Sequence, residues 1–297
     1  MGAPLCLEVA SVFLLAFLGY HGIAFAHESP PGHSCPPSYS SSYIPFPEQN
    51  YGPPANPPGR SADEVYERFL RATRGNPVEA LQRYAETKKW RRKEGMDRIL
   101  KDPHPHFHVI KQNYPHYFHL RGLCNEPVYY ETPAKINLNA IRSAGLTMDG
   151  LLRHYALVTE FMWTHVERSQ HSKSIYVIDL AGIRLRDFAG EVIKFVKSAA
   201  SFISQHYPER SGTIFVVNAP LWFNVIWKVV KPIIDPVTVE KVRVVRGEDN
   251  IRRELNEKIP IENIPPEYGG LSMPLGNSPE EHLLAELMRH NNDPCGI

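Results

Sequence analysis

No lysine or arginine occurs in the first 59 residues, and only three acids, Glu8, Glu28 and Glu48, interrupt them. The positive residues that usually precede a secretory signal are therefore absent. Residues 3–26, APLCLEVASVFLLAFLGYHGIAFA, nevertheless form an apolar run that closes on a small-residue pattern at Ala24-Phe25-Ala26. The segment 1–26 reads as a signal peptide or a signal anchor, or as a stretch missing from the expressed protein. Cysteine is scarce too: Cys6, Cys35, Cys124 and Cys295 have neither metal-finger spacing nor the density of a disulfide scaffold. Phosphate loops of the form G-x-x-x-x-G-K-[ST], a G-x-G-x-x-G turn after a strand, and a G-x-S-x-G elbow are all lacking. Their absence argues against NTPase, dehydrogenase and hydrolase activities. All 33 basic residues lie from Arg60 onward against the 32 acids less those three, so this part is only mildly positive. That weakly favours anionic lipid surfaces and excludes a nucleic-acid partner.

What is present begins with residues 27–60, rich in Pro, Ser and Gly with nothing periodic to bury, which read as a disordered linker. Ser61 with Glu64 makes a capping box, and the helix it opens ends at Gly75-Asn76-Pro77. A second helix runs from 77 to about 94. Short His-, Pro- and Tyr-rich elements follow, then a strand PVYYE at 127–131 and a long helix from 147 to about 168. Buried strands at 173–182, 212–220 and 240–247 alternate with a helix at 190–207 and an apolar segment at 219–236. Strand, helix, strand, helix, strand implies right-handed crossovers and a mainly parallel sheet. Ser278 opens a last amphipathic helix.

Three local features invite sharper readings. His104, His106 and His108 alternate in HPHFH and in an extended segment could share one side; without a nearby acid or Cys they read as loop histidines rather than a metal site. KKWRRK at 88–93 reads as a basic helix end with Trp90 turned inward, or as a patch resting on anionic headgroups. Asp179, ending a buried strand, reads as a hydrogen-bonding group rather than a base. The segment LWFNVIWKVV has apolar residues on nearly every side, with Asn218 placed to cap it. Hanging between two strands, it lies on the sheet's surface and leaves one apolar face free.

FLRATRGNPVEALQRYAETKKWRRKEG, SAASFISQHYPERSGTIFVVNAP, VVKPIIDPVTVEKVRVV and IPIENIPPEYGG, in that order, resemble the CRAL-TRIO lipid-binding family typified by the yeast phosphatidylinositol/phosphatidylcholine transfer protein. The resemblance spans about residues 61–271. It implies an α/β fold, a mainly parallel sheet with flanking helices forming a hydrophobic lipid pocket, plus an N-terminal all-helical lobe. It divides the chain into a helical lobe at 61–100, a lipid-binding domain at 101–275 and a C-terminal helix and tail at 276–297. The apolar helix at 221–232 then matches the family's mobile gate, with Trp222, Phe223, Ile226, Trp227 and Val230. Lys231 matches a lysine that holds a headgroup phosphate, while its acidic companion falls at Ala199. Ser174, Tyr176 and Ile178 match pocket positions along one strand face, Tyr176 being bulkier than the family's small polar residue. Tyr129 and Tyr130 are pocket-wall candidates, and Arg74 lies near the headgroup. The function implied is a monomeric, membrane-associated, non-enzymatic carrier of one phospholipid, phosphatidylinositol-like, with no cofactor and no metal. A sterol, tocopherol or retinoid cargo, or a protein-interaction module on the same fold, are the alternatives. The compartment is secretory if residues 1–26 act as a signal, and cytoplasmic otherwise.

Overall fold

A computed structural model describes residues 62–184, 187, 191–230 and 236–293. The segment at 1–26 and the linker at 27–60 lie outside the described residues, as does Ser61. Helix α1 (Ala62–Ala72) and helix α2 (Pro77–Lys93) come first. Between them Gly75 sits at φ 81°, and Asn76 accepts from the amides of Val78 and Glu79, so the break and restart follow from local chemistry. Next are α3 (Phe107–Asn113), β1 (His116–Arg121), β2 (Pro127–Glu131), α4 (Leu138–Ser143) and α5 (Met148–Phe161). Thr147 caps α5 through the amide of Gly150, and a π-helical turn (Met162–Val166) ends it. The remainder is β3 (Ser174–Asp179), α6 (Glu191–His206), β4 (Ser211–Val217), α7 (Leu221–Val230), α8 (Pro236–Lys241), β5 (Val242–Val245), α9 (Glu248–Asn256) and α10 (Pro279–Asn292).

The five strands stand side by side in chain order, β1 antiparallel to β2 and the rest parallel. Strands added in one direction through right-handed crossovers place their connecting helices on one face. That face carries Phe118 and Tyr129, packed against Leu157 and Phe161 of α5 and Phe202 of α6. The other carries Val128, Tyr130, Ile175, Val177, Phe215 and Val217, closed by Ile251 and Leu255 of α9 and by Ile259, Ile264 and Tyr268. Helices α3, α4, α8 and α9 and strand β1 escaped the sequence pattern. The HPHFH region is helical from Phe107, so its three histidines do not line one side; His104 Nε2 is instead 2.7 Å from the Ile99 carbonyl. No group of three metal-binding side chains occurs among the described residues. Strand β1, the sheet's edge, is finished by α10: Ser278 Oγ donates to the Phe118 carbonyl at 2.8 Å, and Glu281 accepts from the Phe118 amide at 2.8 Å. Cys124, in the β1–β2 turn, is disulfide-bonded; the other three cysteines lie outside the described residues.

The helical lobe is tied to the sheet domain by charge. Arg91 of α2 grips buried Glu160 of α5 bidentately, at 3.0 and 3.1 Å, and the Tyr207 hydroxyl donates to the same carboxylate. Beside it Trp90 stacks on His206 with ring centroids 3.9 Å apart, which settles the inward reading of that residue. Removing one partner of a buried pair leaves the other charge uncompensated, at a cost of about 3–5 kcal/mol. Arg91→Met should therefore lose about 3 kcal/mol in urea unfolding, and the double variant with Glu160→Met should lose less. A double variant no more stable than the single one would contradict this account of the joint.

Candidate functional site

On the crossover-helix face of the sheet lies a cavity of about 380 Å³. Its floor is sheet: Glu131 of β2, Tyr176 and Ile178 of β3, and Ile214 of β4, which the register sets side by side. Tyr155 of α5, with Phe195 and Ala199 of α6, completes the wall. Strand alternation explains the selection, because residues two apart share a face. Tyr155 and Tyr176 thus bring two phenols to the same cavity. Burial pushes both phenols up and pushes the Glu131 carboxyl up to about 8. Glu131 is 2% exposed, and its Oε2 has no hydrogen-bond partner among the described residues.

The residues singled out from sequence distribute unevenly. Tyr176 and Ile178 line the cavity. Tyr129 shares their face but is packed between Phe118 and Tyr176, with ring centroids 5.2 and 5.4 Å away, and does not reach the cavity. Tyr130 points to the opposite face, where it stacks on Tyr268 at 5.3 Å, because neighbouring strand residues alternate. Ser174 is buried and donates to the Arg210 carbonyl at 3.2 Å, away from the cavity lining. Arg74 is exposed in the α1–α2 turn at φ 54° and is not part of the lining either. Lys231 lies outside the described residues, as do the side chains of Ile226 and Val230. Asp179 accepts from the Ala181 amide, Asn218 and Tyr268, at 2.9, 3.0 and 3.1 Å, as a structural anchor does. Asn218 is thus spent on Asp179, at φ 53°, rather than on capping α7.

Helix α7 carries its apolar residues in two directions. Phe223 is buried, Trp222 and Trp227 are half-buried, and Leu221 and Val225 are 80% and 67% exposed. Arg246 pins its start, donating to the Pro220 carbonyl at 3.2 Å and to Asn224 Oδ1 at 2.8 Å, as well as to the Ala219 carbonyl. None of Trp222, Phe223 and Trp227 lines the cavity. Sequence reasoning missed Glu131 and Tyr155. Glu131, ending PVYYE with an acid in a strand buried throughout, was the signal that could have found it.

The fold and cavity define an α/β protein whose parallel sheet floors an apolar chamber, joined to a small helical lobe. Residues 111–270 match the CRAL/TRIO domain model, and the chain belongs to that family. It is 30% identical over 227 residues to a CRAL-TRIO domain-containing protein of Saccharomyces cerevisiae, covering 72% of each chain. It is also 30% identical to the SEC14 cytosolic factor of Eremothecium gossypii, over 72% of this chain and 70% of that one. A phosphatidylinositol/phosphatidylcholine transfer protein of Arabidopsis thaliana, SFH9, is 27% identical over 72% of this chain and 38% of its own. Among solved structures, that of Sfh5 superposes with a TM-score of 0.53 at 16% identity, over 65% of this chain and 69% of that one, a likeness of fold.

A group ionised in the unfolded chain but neutral in the fold makes stability fall with rising pH. For Glu131 that window runs from the ordinary 4.5 to about 8. Buried His116 and His154, held well below the usual histidine range by burial, act in the opposite sense as pH falls. Comparing Glu131→Gln with the unmodified protein isolates the acid. The variant should gain relative stability in thermal melts between about pH 5 and about pH 8, and parallel pH profiles would show that Glu131 is not buried as an acid.

Proposed function

We propose that this protein carries one lipid molecule in the cavity and exchanges it at membrane surfaces, making and breaking no bond. The observation that carries the reading is an apolar chamber in the same domain as a helix with exposed apolar residues, Leu221 and Val225 of α7. A two-chain lipid exposes about thirty methylenes worth about 0.8 kcal/mol each in water, so unassisted transfer is prohibitively slow. A chamber that loads against the bilayer exchanges one apolar environment for another, and the opening of α7 then limits the rate. The start of α7, held by Arg246, would be the fixed end of that motion. No helix among the described residues is long and apolar enough to cross a membrane, so contact through α7 is the membrane association proposed.

A phosphatidylinositol-like phospholipid is the leading cargo. Relatives named as phosphatidylinositol/phosphatidylcholine transfer proteins support it, and Lys231 is placed by the family pattern to neutralise one phosphate charge that is otherwise costly to bury. A non-phospholipid cargo is the second reading. It is favoured by the 380 Å³ volume, at the low end of the roughly 300–1,000 Å³ that enclose drug-sized ligands, and by bulky Tyr176 and uncharged Ala199 in the wall. A protein-interaction module would be better served by a cavity filled with the chain's own side chains.

Lys231→Ala should slow phosphatidylinositol transfer between liposomes about tenfold without altering the melting temperature, and unchanged transfer would remove the lysine from the site. Trp227→Asp should slow transfer of every cargo by placing a charge on the helix that must enter the bilayer. Equal rates for all cargoes would dismiss α7 as the gate.

A further inference from the structure

Two buried histidines, His116 of β1 and His154 of α5, hold each other at 2.9 Å between their Nε2 atoms. Burial and the nearby Lys111 charge keep both rings neutral, so each carries one proton. His116 Nδ1 lies 2.7 Å from the Tyr114 carbonyl, an oxygen that can only accept; that nitrogen therefore has the proton, and His116 Nε2 keeps its lone pair. His154 Nε2 must then donate, which leaves His154 Nδ1 as an acceptor. This Nδ1 makes no hydrogen bond among the described residues. His154 is only 4% exposed, yet it lines a second cavity, of about 240 Å³, that shares no lining residue with the lipid chamber.

This second cavity lies between the start of α5 and the segment 102–107, DPHPHF. Helix α10 holds the segment from outside, since Asn292 accepts from the His104 amide at 2.6 Å and donates to the His104 carbonyl at 3.0 Å. Pro103, Pro105, Phe107, Ile110 and Leu146 supply apolar wall, and Gly150 of α5 adds no side chain. The two formal charges of the lining, Arg153 and Asp102, answer each other at 3.2 Å. An unmet acceptor in such a wall is unfavourable, and folding alone does not call for it.

Independently of the lipid-carrier reading, we propose that this second cavity binds a small uncharged molecule with an O–H or N–H donor on a compact apolar body, the donor meeting His154 Nδ1. His116 is the positioning residue, because taking the Nε2 proton of its partner is what makes Nδ1 the acceptor. A cavity of about 150 Å³ encloses benzene, so 240 Å³ admits one substituted six-membered ring. An anion is repelled by the lone pair. A cation is opposed by the same burial and Lys111 charge that keep His154 neutral. A metal ion lacks a group of three side-chain ligands among the described residues.

The test titrates the full chain with phenol, anisole and toluene, rings of similar size of which only phenol donates. Binding is followed by nuclear magnetic resonance at the His154 ring nitrogens, while the methyls of Ile178 and Ile214 report on the lipid chamber. Phenol should shift His154 Nδ1 and bind there about tenfold more tightly than anisole or toluene. His154→Leu should bring phenol down to the toluene level and leave toluene unchanged. If that variant does not fold, the three rings on the unmodified protein decide the matter. Equal affinities for all three, or a phenol response confined to the Ile178 and Ile214 methyls, overturn the proposal. So does a leucine variant that keeps the preference for phenol, or a spectrum that places the His154 proton on Nδ1.

Discussion

The two faces of one sheet are closed under opposite rules, and the rest of the molecule depends on that asymmetry. Because the strands are laid down in order, every crossover helix is committed to the same side. The far side is left to the chain after β5, which seals it with α9 and the segment through Tyr268 around Phe215, Val177 and Tyr130. That face is dense, and Asp179 at its end is anchored by Tyr268 and Asn218. The near side must be covered by helices that each span several strands, and between α5, α6 and the floor of β2 to β4 they leave a chamber rather than a core. Half of that face is nevertheless solid, where Phe118, Tyr129, Leu157 and Phe161 interlock.

Buried charge is handled in two ways, and the contrast separates scaffold from site. Around the chamber, ionic groups are matched: Arg91 with Glu160 joins the helical lobe to α5, and Lys111 with Glu281 fastens α10 over the sheet's edge. Arg210 lies 4.0 Å over the Trp163 ring and donates to the carbonyls of Ser169 and Ser172 at 2.6 and 3.1 Å, fixing the turn before β3. These pairs hold position, since each would be costly to break singly. Inside the chamber Glu131 Oε2 is left without such a match, in a lining that carries Arg142, Arg184 and Asp187 beside its aromatic and aliphatic side chains. A rigid, satisfied frame around a polar group without a partner is what a binding seat requires.

Much of this was legible in the chain itself. Asn76 and Gly75 between two helices, Thr147 ahead of α5, Ser278 ahead of α10 and the alternating apolar runs of β2 to β5 are local signals, and the elements formed where those signals stand. Strand β1 was not legible, because HYFHLR carries two histidines whose burial depends on α5 and on the C-terminal helix 160 residues away. Tyr129 and Tyr130 looked equivalent as neighbours in one strand; pairing with β1 and β3 put them on opposite faces, one against Phe118 and the other against Tyr268.

The sequence by itself determined the long helices, the parallel strands β2 to β5 and the family, because capping, periodicity and motif order are properties of short stretches read along the chain. Only the tertiary structure decided that Tyr176 and Ile178 border a chamber, that Ser174 and Tyr129 do not, and that Glu131 stands in its floor unpaired. The reason is physical: a cavity and an unmet hydrogen bond are absences created where segments from β2, β3, β4, α5 and α6 fail to fill the space between them, and no single segment carries information about the space it leaves.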